Sequence, residues 1–272
     1  MSSHRSGGHY IEYKGFLSNH LSHLVTALER LGAGEDQVAE AGRAYCDKLE
    51  GREGDTAKQQ QAEAEGEVEE LLGKRRSFYH LEAHYTLLLE KAGSPEALVR
   101  CHLAKLGQGL GCAALHPLLN IGYGLAGGDS TAVVEGLAYL HHSFVGLQLE
   151  EPGRLEQLGG GSLGLEEVLG RLREDLVLRE QVERGTEEEW VTSTGLGGFQ
   201  KGMVVILTRH GDQLLEYALA LARPQGLSLA SWIQDLALRL YTKAEVVNDF
   251  FLLHLVTATW ALTSQVPGLW VM

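Results

Sequence analysis

Twelve histidines punctuate a chain of 272 residues, and several fall among apolar neighbours at helical spacing. An imidazole inside a protein needs a hydrogen bond or a metal at its ring nitrogens, because burying it unpartnered is costly. His254 is the clearest case. It stands in FFLLHLVTATWAL, a segment apolar nearly all round, and such a helix is expected in the centre of a bundle. From spacing alone, a core histidine bonded to a carbonyl or carboxylate explains His254 as well as a ligand does. Asp249 is the candidate group to orient its ring.

His116 opens HPLLNIGYG, and Pro117 suits the first turn of a helix. That puts His116 at a helix mouth, where a ligand could approach; in isolation a loop histidine beside a turn proline is the simpler reading. His20 and His23 lie three apart, His80 and His84 four apart, so each pair can share a helix face. The i, i+4 spacing suits two metal ligands on one helix. HLEAH is nevertheless not the HExxH pattern, since its glutamate is misplaced. His210, in LTRHGDQLLEY, has Asp212 and Glu216 near it to orient its ring, with a solvated helix start as the plainer account. Two lookalikes carry no weight. GGSLG at 160–164 follows a polar glycine-rich loop, not the strand a nucleophile elbow needs. GLGGFQKG at 195–202 lacks the Lys-Ser/Thr of a phosphate loop.

The elements that must position these residues are helices. Leu21, Leu24, Val25, Leu28 and Leu31 recur at helix spacing between Asn19 as a cap and Gly32 as a stop. Further helices are expected over 35–50, 75–91, from Ser94-Pro95-Glu96 onward, over 131–145, 165–183, 203–222, 228–243 and 248–264. Thr186-x-x-Glu189 has capping-box spacing. Residues 51–70 read as an exposed polar loop and 150–164 as a glycine-rich connection. Glycines inside helical patterns imply close helix packing. No run of alternating β-branched residues between tight turns appears, and VVIL at 204–207 is the one ambiguous piece. The expected fold is all-α: a single irregular multi-helix bundle over 1–272, with buried histidines.

Composition narrows the partners. A net charge of −13 opposes nucleic acid and anionic membrane surfaces, leaving a small or weakly charged ligand. Cys46, Cys101 and Cys112 form no CxxC pair, which suits a reducing compartment. The first residues lack the apolar core of a signal peptide, and the longest apolar stretch is too short to span a bilayer. A cytoplasmic protein is expected.

GFLSNHLSHLVTALERLGA, HPLLNIGYGL followed by EGLAYL, and NDFFLLHLVTATWAL resemble, in order and spacing, the questin oxidase-like family. The resemblance implies a mostly helical oxidoreductase. Fungal relatives open a ring of anthraquinone-type polyketides by oxygen insertion. One branch resembles a non-haem iron oxygenase with histidine ligands and a carboxylated lysine. By motif, His20, His116 and His254 match the histidine ligands, His210 matches a further one, and Lys243 is the nearest lysine upstream of the last motif. NADPH is the reductant the resemblance implies. Two departures stand out: Asn120 where relatives often carry a second histidine, and a chain that ends at Met272, sooner than family members do. The alternatives are a catalytically inactive truncated member with a structural or regulatory role, and a metal-free enzyme using histidines as acid–base groups.

Overall fold

The computed structural model describes residues 8–52, 67–246 and 249–265, and these are overwhelmingly helical. Contacts group the chain into two compact units. One is Met1–Phe144 with Trp260–Met272, the other Val145–Thr259.

The first unit begins with a hairpin that the sequence pattern did not reveal. Strands β1 (Glu12–Tyr13) and β2 (Leu17–Ser18) pair antiparallel, too short to show alternation. Lys14 and Gly15 turn between them at positive φ. Helix α1 (Leu21–Arg30) follows. Asn19 Oδ1 accepts from the Leu21 N–H at 2.9 Å, and Gly32, at φ +83°, stands just past the helix end as expected. Leu21 and Val25 pack on Val38 of α2 (Glu35–Cys46), with Tyr45 against the same cluster. The expected 51–70 loop falls largely outside the described residues; its described end, Val68–Leu71, is a 3-10 turn.

Helices α3 (Phe78–Ala92) and α4 (Pro95–Leu106) meet the expected pattern. Gly93 closes α3 in the left-handed conformation, and Ser94 Oγ caps α4 by accepting from the Ala97 N–H at 3.1 Å. The core is the pair α5 (His116–Gly127) and α6 (Ser130–His142), with α1, α3 and α4 packed around it. Every residue of α6 from Ala132 to His142 is buried. Glycines allow the two helices to touch: a methyl on Gly136 would lie 2.7 Å from Ile121 Cγ1 and 2.9 Å from its backbone nitrogen. The anticipated tight packing is therefore literal.

The second unit contains α7 (Leu165–Glu174), α8 (Leu176–Thr186), the short α9 (Glu189–Thr192), α10 (Gly198–Arg209), α11 (Gly211–Ala220) and α12 (Leu229–Thr242). Two expected helices prove to be pairs. Asp175 breaks 165–183 by turning out of helical geometry and capping α8, its Oδ1 accepting from the Leu178 N–H at 2.9 Å. His210 breaks 203–222, and Gly211 sits hard against the Gln148 carbonyl. The Thr186–Glu189 capping box does not form: Glu188 takes the N-cap position. VVIL is helical within α10. Helix α13 (Phe250–Trp260) ends the second unit and runs into a π-helical turn, Ala261–Gln265. It is not buried all round, since Phe250, Phe251 and Leu253 are exposed while His254 is buried. Among the described residues, no helix is long and apolar enough to cross a membrane.

Candidate metal centre

In the first unit, α1 and α5 bring two expected ligands together. His20, at the N-terminal mouth of α1, and His116, the first residue of α5, face each other with Nε2 to Nε2 at 2.9 Å. Their rings meet edge to face, 4.8 Å between centroids. His116 Nδ1 donates to the Ala113 carbonyl at 2.6 Å. That bond places the neutral ring's proton on Nδ1 and its lone pair on Nε2, the arrangement that orients a metal-binding histidine.

The carbonyl holding His116 lies in an unusual turn. Ala113, Ala114 and Leu115 all sit in the left-handed region, at φ 44°, 53° and 69°. Each costs roughly 1–2 kcal/mol for a residue with a Cβ, and such strain gathers at functional sites. The turn lies within the 3-10 segment Cys112–Leu115, just before α5, and its Ala113 carbonyl accepts from the imidazole. Nothing in GCAALHP announces it.

His23, one turn along α1, is held differently. Its Nε2 donates to Asn120 Oδ1 at 2.5 Å, and its ring stacks on Tyr123, 4.9 Å between centroids. Tyr123 in turn meets Trp260 at 5.0 Å. His23 stood out by its spacing from His20, and Asn120 as a departure from relatives; their pairing, and Tyr123 beside them, had no signal in the sequence.

In the second unit, His254 Nδ1 donates to the Phe250 carbonyl one turn back at 2.5 Å. The neutral ring thus carries its lone pair on Nε2, as His116 does. Burial lowers its pKa, opposed by the Phe250 carbonyl. Asp249 does not orient it: Asp249 Oδ1 caps α13, accepting from the Leu252 N–H at 2.9 Å. His210 Nδ1 bonds Gln213 Oε1 at 2.6 Å in an exposed position at the start of α11. Lys243 is an exposed lysine whose Nζ pairs with Glu166. A carbamate ligand needs a buried amine, and an exposed ammonium paired to a carboxylate does not provide one.

The His80/His84 pair does not converge on a ligand either. His80 is exposed. His84 lies edge-on to Tyr85, as do His102 and His141, and the Tyr85 hydroxyl meets His141 Nδ1 at 3.0 Å. Burial lowers the pKa of His84, His102 and His141 alike.

Compared with known proteins, residues 17–271 match the family model described as questin oxidase-like. No curated protein and no solved structure matches the chain.

Proposed function

The chain belongs to the questin oxidase-like family, and from that membership we propose that it is an oxidoreductase whose metal ion is held by His20 and His116, with His254 the further ligand that the family motif alone supplies. We take non-haem iron as the metal, NADPH as reductant and a small apolar or aromatic ketone as substrate, each by resemblance to the family alone. The observation carrying the reading is the His20–His116 pair, two imidazole Nε2 atoms brought within 2.9 Å by the mouth of α1 and the start of α5. The donor set fits: imidazole suits iron, and His116 and His254 each have Nδ1 tied to a carbonyl with the lone pair left on Nε2. Lys243 and His210 are left out of the set because their contacts are with Glu166 and Gln213.

Bound iron supplies the redox and Lewis-acid chemistry that side chains lack. The chain's own residues position and enclose. The Ala113 and Phe250 carbonyls hold two ligand rings in one tautomer. His23 stacks on Tyr123, which meets Trp260 at a tilt, so these rings pack beside the ligand-bearing start of α5.

Elemental analysis of purified protein tests this directly. Stoichiometric iron is expected, falling to background in His116→Ala and in His254→Ala, together with NADPH-dependent oxygen uptake on an aromatic ketone. A metal-free protein whose stability chelators leave untouched would sink the metal centre. The 2.9 Å nitrogen pair also supports a second reading, a proton shared between His20 and His116 in a metal-free acid–base site. Turnover that survives complete metal removal decides for it.

A further inference from the structure

His20 is held unlike the other two proposed ligands. His116 and His254 donate Nδ1–H to carbonyls, groups that can only accept. The Nδ1 of His20 instead faces a hydroxyl, Tyr45 Oη, at 3.4 Å. That oxygen already accepts the His20 backbone N–H at 3.0 Å. A hydroxyl can donate or accept by rotating, so the bonds around His20 can run either way.

Without a metal, their direction follows from His116. Its Nδ1 carries the proton, so its Nε2 must accept at 2.9 Å, and His20 must donate from Nε2. His20 Nδ1 then carries the lone pair and accepts from Tyr45. The chain reads Tyr45 O–H to His20 Nδ1, His20 Nε2–H to His116 Nε2, His116 Nδ1–H to the Ala113 carbonyl. A metal on both Nε2 atoms is incompatible with that proton. We propose that Tyr45 is the positioning residue of His20, and that its hydroxyl reverses when metal binds. The proton moves from Nε2 to Nδ1 of His20, Nδ1–H donates to Tyr45 Oη, and the Tyr45 O–H turns away from the ring. No proton leaves the ring. The 3.4 Å separation is long for a hydrogen bond, so little is lost when it turns. Half-buried Tyr45 sits on the last turn of α2, where packing against the Leu21–Val25–Val38 cluster holds it beside the mouth of α1.

The inference rests on the metal reading, and the experiment separates the two. In the full chain labelled with 15N-histidine, long-range proton–nitrogen correlations report which ring nitrogen is protonated. Metal-free protein is expected to show His20 as Nε2–H and His116 as Nδ1–H. Zinc, a diamagnetic probe, is expected to convert His20 to Nδ1–H and leave the His116 tautomer unchanged. Tyr45→Phe is expected to weaken zinc about ten- to a hundredfold in chelator competition, with melting in EDTA checking that it folds. His20 found as Nδ1–H before metal, or zinc bound without a tautomer change, overturns the reversal alone. Wild-type zinc affinity in a folded Tyr45→Phe overturns the positioning role. Protein that takes up no zinc overturns the metal reading, and the reversal with it.

Discussion

At the scale of single residues, the chemistry lies less in which histidines are present than in what holds their second nitrogen. Ala113, Phe250, Asn120 and Tyr45 each bond one imidazole, and none was legible as such in the sequence. A buried N–H left without its acceptor costs about 1–3 kcal/mol. Asn120→Ala should therefore lower stability by about that amount, because it strips the acceptor from His23 Nε2. Urea unfolding checks it: an unchanged midpoint would mean that the 2.5 Å bond contributes nothing. Asp249 teaches the converse. Its nearness in sequence suggested a partner for His254, but a carboxylate at a helix start meets backbone N–H groups first, and there it stays.

At the scale of elements, two junctions set the centre. The left-handed turn Ala113–Leu115 delivers His116, and the α5–α6 contact fixes the helix that carries it. Ala114→Gly should stabilise the fold by about 0.5–1 kcal/mol, since relief of the left-handed penalty outweighs the added freedom of the unfolded chain. A melting temperature that fell would contradict the strain. Gly136→Ala should act oppositely, losing about 1–3 kcal/mol by forcing α6 away from Ile121. The helices themselves were readable: Ser94-Pro95, Asp129 and Gly93 mark their ends where the caps and stops form. The breaks at Asp175 and His210 were not. Periodicity carries straight through both, and only a side-chain cap in one case and a backbone contact at Gly211 in the other interrupt it.

At the scale of the molecule, buried titratable groups make stability depend on pH in two opposing ways. Burial first, then the Arg75 guanidinium, pushes His142 from 6.5 down to about 3; His84, His102 and His141 are lowered too. The unfolded chain binds more protons at these sites, so stability is complete above pH about 6.5 and drains as pH falls toward 3. Glu135 works the other way. Burial first, then the neighbouring Glu82, raises it from 4.5 to about 8, while Arg52, bonded to both carboxylates, lowers it only in part. The folded state holds that proton longer, so its contribution is complete at low pH and fades as pH rises toward 8. Urea midpoints should peak near pH 6.5 and decline toward 8, and Glu135→Gln should flatten the decline while leaving the acid limb. A decline unchanged in that variant would assign it to another group.

Periodicity, capping residues and the absence of strand patterns determined the helical class, because a helix is a local structure whose signals repeat every turn. The family was legible for a similar reason: its motifs are contiguous, and the match runs over residues 17–271. They named His20 and His116, which α1 and α5 bring face to face. Only the tertiary structure decided what surrounds them. His20 meets His116 across 96 positions and Tyr45 across 25, and His23 meets Asn120 across 97. Such pairings depend on how helices pack, and no local pattern encodes that. The same distance in sequence hid the opposite fact, that Lys243 turns outward to Glu166 across 77 positions. A residue's type says what it can bond; the packing of the elements that carry it decides which partner arrives.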